Sequence, residues 1–336
     1  MKAIQFHTDS SEPGSAREVE LPNPSPTGHD ILVQVEAVAL NPVDYKVRPT
    51  ADEPPKTLGF DAAGVVAAVG EQASFFAVGD TVYYAGDVTR PGSNAQYQLV
   101  DERIVAHRPR SIDAAASAAI PLTALTAWES LFDRLAISFE ATESNRGKTL
   151  LIIGGAGGVG SIAIQLAKLA GLSVIATASR PESEDWCRRL GADHIINHHG
   201  DMVAQFKSLE RNEVEYIAHF NDFEADWGAM GEMIAPQGGV VLITGHEGKL
   251  DLGGPFKLKS VGIHWEFMFT RSMFETDDIL EQRRILTQVA ELIDAGKIVV
   301  TANDHLSPIN TENVLEGHRR LEAGRSIGKL TLSGWE

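Results

Sequence analysis

Apolar positions along the chain fall into two regimes. In the first hundred residues they come in short runs without helical period: Lys2 to Phe6, Ile31 to Val38, Ala62 to Val69, Thr81 to Ala85 and Ala95 to Val100 each predict a strand. Turn signals at Pro22-Asn23-Pro24, Gly28, Gly70, Gly79-Asp80 and Pro91-Gly92 separate them, so this part reads as a compact β domain. From about Asp113 the pattern becomes Ala-rich and helical through SIDAAASAAIPLTALTAWESLFDRL, and after Gly147 strands alternate with helices, which predicts a parallel sheet. Its apolar runs are Leu150 to Ile153, Ser173 to Ala178, His194 to Asn197, Tyr216 to Phe220, Val240 to Thr244 and Val261 to Phe269. Six such runs suit an α/β, doubly wound parallel six-stranded sheet. Further on, Thr276 is placed to cap a helix with apolar positions Ile279, Leu280, Leu286, Val289, Leu292 and Ile293, closed by Gly296. A second helix is expected from Thr311 to about Gly324. The last strand, Lys329 to Leu332, has no place in the alternating pattern and is expected to rejoin the β domain.

The stretch Thr149 to Gly171, TLLIIGGAGGVGSIAIQLAKLAG, organises the second half. Gly155, Gly157 and Gly160 fit the spacing G-x-G-x-x-G between a strand and a helix, the context in which that spacing indicates dinucleotide binding. The first glycine is expected to permit the tight turn, the second to let backbone approach a pyrophosphate, and the third to let helix and strand pack closely. Phosphates would then meet free N–H groups at the positive end of a helix.

In such folds a carboxylate at the end of the second strand binds the ribose hydroxyls of NAD. Here that strand, SVIATA, ends in Ser179-Arg180. No acid stands there to repel a 2′-phosphate; Ser179 can hydrogen-bond it and Arg180 can supply a planar charged fork, so NADPH is expected over NADH. The alternative is a solvated Ser-Arg pair with Glu182 or Glu184 on the ribose.

Composition narrows the field. The formal charge of −17 argues against broad binding to nucleic acid or anionic membranes, which needs clustered Lys and Arg. No apolar run has the 18 or so residues of a membrane span, and the first residues, MKAIQFHTDS, lack the apolar core of a signal peptide, so a cytoplasmic protein is expected. One cysteine, Cys187, excludes an internal disulfide and any multi-cysteine zinc site. The pair His198-His199 is expected on a polar surface loop.

The segments GFDAAGVVAAVG from Gly59, GDTVYYAG from Gly79, IPLTALTAWESL from Ile120 and the AGGVG loop resemble the medium-chain dehydrogenase/reductase superfamily over essentially the whole chain. AVALNPVDYKVR, at Ala37 to Arg48, looks like the zinc-free quinone oxidoreductase branch. NPVDYKVR, YAGDVTRPGSNAQY and FMFTRSMF are similar to a bacterial group labelled zinc-type alcohol dehydrogenase-like proteins. The resemblance implies a GroES-like β domain at 1–125 and 272–336 and a Rossmann NADPH-binding domain at 126–271. The places that hold zinc ligands in the family's alcohol dehydrogenases fall on Asn41, Phe60 and Leu122, and the four-cysteine structural lobe is missing, so neither catalytic nor structural zinc is expected.

Without a Lewis acid to stabilise an alkoxide, the reaction expected is reduction of a quinone, an α,β-unsaturated carbonyl or another activated carbonyl by NADPH at an interdomain cleft, since the hydride's charge spreads over a conjugated oxygen that hydrogen-bond donors can stabilise. The resemblance puts Asn41 and Asp44 beside the nicotinamide, with Lys46 as a further candidate for an anionic oxygen. It adds Thr126, Gly158, Val159, Phe220, Asn221 and Gly245 as cofactor contacts. Trp265, Phe267 and Phe269 alternate at strand spacing and suggest strand core or a dimer edge; a homodimer is the family's common form. The alternatives are a zinc-dependent alcohol dehydrogenase and a non-catalytic NADPH-binding protein.

Overall fold

Sixteen strands are present among the described residues, 1–9, 12–49, 53–140 and 142–336 of the computed structural model. In chain order they are β1 (Lys2–Asp9), β2 (Glu12–Glu20), β3 (Asp30–Ala39), β4 (Lys56–Thr57), β5 (Ala62–Val69), β6 (Thr81–Tyr84), β7 (Tyr97–Asp101), β8 (Ala106–His107), β9 (Thr149–Ile153), β10 (Ser173–Thr177), β11 (His194–Ile196), β12 (Val214–His219), β13 (Ile234–Leu242), β14 (Gly262–Trp265), β15 (Ala302–Leu306) and β16 (Lys329–Ser333). The chain divides into two compact units, Met1–Leu125 with Phe269–Glu336, and Thr126–Met268.

The first unit holds a three-stranded sheet in the order β2-β1-β4 and a seven-stranded sheet running β15-β16-β3-β5-β6-β8, with β7 also paired to β3. Its core gathers Phe6, Ile31, Val33, Leu58, Val82, Tyr84 and Leu332, all essentially inaccessible to water. The chain's last strand does return here: β16 runs antiparallel to β3, with Thr331, Leu332 and Ser333 opposite Ala39, Val38 and Ala37.

The second unit is a six-stranded parallel sheet ordered β11-β10-β9-β12-β13-β14. The chain works outward from β9 to β11 and then crosses to the other side of β9 as β12, which creates the reversal point where open α/β sheets place ligands. Strand β9, TLLII, is buried at every position. That follows from its central place, because a parallel strand covered on both faces needs an unbroken apolar run rather than an alternating one.

Several sequence expectations change in detail. β14 stops at Trp265, so the aromatic alternation does not continue as strand: Trp265 and Phe267 are about half exposed, while Phe269 is buried edge-on against Phe60. Thr276 does not cap the following helix, Leu280–Asp294; its hydroxyl bonds Asp278 in the turn before it. The last helix begins at Thr311 as expected and runs Thr311–Glu322, with Asn310 capping it by accepting from Asn313 N–H. The Ala-rich tract is three pieces, helices Ala114–Ala118 and Pro121–Trp128 and a π-helical turn at Glu129–Arg134. No helix among the described residues is long and apolar enough to cross a membrane.

Candidate functional site

In the second unit the glycine loop is built as a turn that no side chain could replace. Gly154 carries the left-handed backbone (φ 87°), so the tight turn falls one residue before the first glycine of the expected spacing. Its N–H donates to Thr177 Oγ1 at 3.0 Å, fastening the end of β9 to the end of β10. Gly157 stands at the N-cap of the helix Gly158–Leu169, and the N–H groups of that first turn have no carbonyl one turn earlier. A Cβ on Gly160 would collide with Gly154 O and sit 2.7 Å from Gly155 Cα, so its hydrogen is what lets the helix start against the strand. Below Gly155 lies Cys187, whose thiol burial pushes up to about 12; it fills space there and stays neutral.

The carboxyl edge of the sheet collects most of the expected cofactor residues. Ser179 and Arg180, half-buried, follow β10 and precede the helix Pro181–Arg189. Phe220 N–H donates to Ile153 O at 2.9 Å, so Phe220 and Asn221 flank Gly154 at the reversal point. Asn221 O accepts from Thr244 Oγ1 at 3.0 Å, while Gly245 is open and exposed. Thr126 is buried at the start of the unit. Sequence reasoning passed over His219, which is wholly buried at the end of β12. Its Nε2 pairs with Asp226 at 2.9 Å and its Nδ1 accepts from Asn221 N–H at 3.3 Å, so it holds the Phe220-Asn221 turn in place. Burial lowers its pKa, which keeps the ring neutral for that acceptor role. His198 is half-buried against His199, not a freely solvated surface pair.

In the first unit the segment after β3 turns into a five-residue helix, Pro42–Lys46, whose start Asn41 defines. Asp44 Oδ2 accepts from Asn41 N–H at 2.6 Å, one half of a capping box. Asn41 Nδ2 donates to Asp61 Oδ2 at 2.9 Å and to Ala39 O at 3.3 Å, and its Oδ1 accepts from Lys329 Nζ. Lys329 also donates to Asp61 Oδ2 at 2.8 Å and to Leu40 O at 3.0 Å; Asp61 Oδ1 accepts from Leu122 N–H at 2.8 Å. Asn41, Asp44, Asp61 and Lys329 are each buried to 96% or more. Neither Asp61 nor Lys329 was singled out from the sequence, although Asp61 stands in GFDAAG and Lys329 opens the last strand. Lys46 lies on the exposed side of its turn, apart from this network.

The electrostatics follow from the burial. Desolvation pushes the Asp44 carboxyl up to about 7, opposed by the Asn41 N–H and the Lys329 charge. The same cause raises Asp61, while Lys329, the Asn41 amide and the Leu122 N–H pull it back. Asp44 Oδ1 has no hydrogen-bond partner. Asp44 is therefore the group able to change protonation near neutral pH. Asn41, with both amide hydrogens committed inside the protein, keeps none to offer a ligand, a departure from the donor role expected of it.

A zinc ion fits this donor set poorly. Of the three family positions, Phe60 and Leu122 carry no ligating atom and Asn41 is committed on both ends of its amide. Among the described residues no three His, Cys, Asp or Glu side chains converge as metal ligands would.

Two consequences are measurable. Gly160→Ala should weaken dinucleotide binding at least about tenfold, because the helix start must move away from the loop; fluorescence titration with NADPH checks this, and unchanged affinity refutes the close-packing role. For Asp44, the raised pKa means the folded chain keeps a proton between pH 3.8 and about 7 that the unfolded chain releases. Its contribution is present below that window and lost as pH rises through it. Wild type should lose about 1 to 3 kcal/mol relative to Asp44→Asn between pH 5 and pH 8. Urea titrations at both values test the sign, and a difference that does not change with pH would be the contrary result.

Comparison with known proteins agrees with this architecture. Residues 27–110 match the family described as alcohol dehydrogenase GroES-like domain, and residues 158–280 match zinc-binding dehydrogenase. A zinc-type alcohol dehydrogenase-like protein of Staphylococcus aureus is 42% identical over 336 residues, covering 99% of this chain and 100% of that one. A solved structure from Rhizobium etli, assigned to the zinc-dependent alcohol dehydrogenases, superposes with a TM-score of 0.92 at 44% identity over 100% of this chain and 98% of that one. Escherichia coli quinone oxidoreductase, solved with NADPH, shares the fold with a TM-score of 0.82 at 23% identity, over 99% of this chain and 100% of its own. With a GroES-like domain, a parallel six-stranded sheet, a full-length relative at 42% identity and a chloroplastic quinone-oxidoreductase of Triphysaria versicolor 30% identical over 73% of this chain and 75% of that one, the chain belongs to the medium-chain dehydrogenase/reductase superfamily, in its quinone oxidoreductase-like branch.

Proposed function

We propose that this oxidoreductase uses NADPH, without a metal ion, to reduce a quinone or an α,β-unsaturated or otherwise activated carbonyl. The observation that carries the reading is that, of the three positions matching zinc ligands in the family's alcohol dehydrogenases, Phe60 and Leu122 carry no ligating side chain and Asn41 is tied by both ends of its amide into the buried Asp61–Lys329 ion pair. NADPH, when bound, supplies the hydride.

The protein's own residues do the rest. The loop from Gly154 to Gly160 and the first-turn amides of Gly158 and Val159 receive the pyrophosphate. Ser179 and Arg180 take the 2′-phosphate, Phe220, Asn221 and Gly245 border the ligand along the strand ends, and Thr126 lies on the nicotinamide side. The E. coli quinone oxidoreductase solved with NADPH supports a nicotinamide cofactor in this fold. In the other unit, the Asp44 carboxyl, which burial pushes up to about 7, is the group we assign to supply a proton to a reduced oxygen, and Lys46, exposed on the same turn, is available to an anionic group outside the network.

An acceptor that delocalises the incoming charge suits such a site, because fixed donors and a titrating carboxyl can stabilise a phenolate or enolate where a simple alkoxide would call for a Lewis acid. The experiment is NADPH oxidation with a panel of quinones and enones, before and after chelation, with metal content measured. Turnover that survives chelation is expected; stoichiometric zinc together with lost activity would replace this reading by a zinc-dependent alcohol dehydrogenase, and tight NADPH binding with no accelerated oxidation would leave a binding protein. For cofactor choice, Ser179→Asp combined with Arg180→Ala should shift the NADPH to NADH affinity ratio toward NADH by about 10 to 100-fold, as loss of a charged phosphate contact requires; an unchanged ratio would refute the phosphate assignment.

We also read the chain as a homodimer. β14 ends the sheet, and Trp265 and Phe267 leave apolar surface beside its unpaired edge groups. Sedimentation equilibrium should give twice the 36.3 kDa chain mass; a monomer at micromolar concentration would contradict it.

A further inference from the structure

Lys329 is a deeply buried cation of the first unit, and its surroundings are more complete than a fold-stabilising ion pair needs. An ammonium has three hydrogens to donate. All three are used, on Asp61 Oδ2, Asn41 Oδ1 and Leu40 O. The acceptors are equally committed: Asp61 spends one oxygen on Leu122 N–H and the other on Lys329 and Asn41, and Asn41 spends its amide on Asp61 and Ala39 O. The place is fixed from the backbone too, since Lys329 N–H donates to Thr301 O at 2.8 Å and Leu40 N–H to Leu330 O at 3.0 Å. Lys329 is thus held at the one point where it reaches the segment Leu40-Asn41 that begins the turn carrying Asp44.

We propose that Lys329 is a positioning residue: its ammonium is a built-in cation bonded to Asn41, one of the three positions that match the family's zinc ligands, and it orients Asn41 and thereby the turn that carries Asp44. The proposal rests on the reading of this site as the reductase centre. Asp44 Oδ2 takes its hydrogen bond from the Asn41 backbone, so the angle of the Asn41 peptide sets where Asp44 Oδ1, the unpartnered carboxyl oxygen, is held.

A buried ion pair with only a structural role can be replaced by a neutral pair at little cost, whereas removing one partner strands the other charge. The test therefore uses Asp61→Asn with Lys329→Met, which removes both charges together and leaves an acceptor for Leu122 N–H, beside Lys329→Ala assayed with and without ethylammonium. Three quantities are read on the full chain: NADPH affinity by fluorescence, kcat and KM with the best quinone or enone, and hydrogen exchange of the Asn41 side-chain amide by NMR. The double variant should bind NADPH within about twofold of wild type, lose kcat about 100-fold with little change in KM, and exchange the Asn41 amide at least about tenfold faster. Lys329→Ala should regain at least about tenfold in kcat with ethylammonium and nothing with sodium chloride at equal strength.

A double variant that keeps kcat within about threefold and its slow Asn41 exchange would overturn the proposal, because the pair would then be structural only. Should the double variant not fold, the ethylammonium arm decides: no recovery in folded Lys329→Ala also overturns it. If wild type turns over none of the acceptors, the reductase reading fails by that result alone, and Asn41 exchange still decides on Lys329, unchanged exchange counting against it.

Discussion

Burying an ammonium and two carboxyl groups within a few ångströms is the constraint around which the first unit is arranged. An isolated charge at this depth costs several kcal/mol, so each must find its partners inside the protein. Lys329, Asp61 and Asn41 come from three distant parts of the chain, and only the seven-stranded sheet brings them together. This explains the least obvious feature of the topology. After leaving the second unit the chain must come back, and β16 lies against β3 with its first residue next to Leu40 and Asn41. Core contacts such as Leu332 in the Phe6 and Val82 cluster hold that strand; the polar network sets where along β3 its first residue sits.

The second unit solves a different problem with different means. Its ligand loop uses backbone: a left-handed Gly154, an N-cap at Gly157, and a hydrogen at Gly160 where any carbon would clash. Side chains serve as braces. Thr177 holds Gly154, and His219, kept neutral by burial and paired with Asp226, holds the Phe220-Asn221 turn on the opposite side of the reversal point. A loop of amides that is to receive a phosphate, as we propose for this one, needs rigidity more than charge, and these braces supply it.

This difference decides how much was legible in the sequence. The parallel sheet was readable because buried strands are unbroken apolar runs and the glycine spacing is local; all six strands fall where the runs are. Four strands of the first unit were missed: β4 and β8 are only two residues each, and the other two were hidden for physical reasons. β2 contains Pro13-Gly14, which reads as a turn, and β15, ANDHL, is mostly polar because it lies at the edge of its sheet. The overextended β14 shows the converse error: Phe267 and Phe269 keep the alternation going, but the chain has already left the sheet, and Phe269 is buried against Phe60 instead. Thr276 was a reasonable cap by residue type, yet its hydroxyl found Asp278 first.

At the site, Asn41 and Asp44 were legible as residue types in a recognisable segment, but their roles were not. The amide that looked like a donor is spent on Asp61 and Ala39, and the lysine that looked relevant, Lys46, is the exposed one, whereas Lys329 is 288 residues from Asn41 in sequence and touches it in space. No local pattern distinguishes a buried lysine from a solvated one; burial is a property of the sheet. Yet the substitution that removed the zinc ligands and the presence of Lys329 belong together. Where Phe60 and Leu122 carry no ligating atoms, the buried Asp61 carboxyl needs a cation or a proton from elsewhere in the chain. Lys329 provides the first for Asp61, and the second is left to Asp44, whose carboxyl desolvation pushes up to about 7 despite the pull of that ammonium.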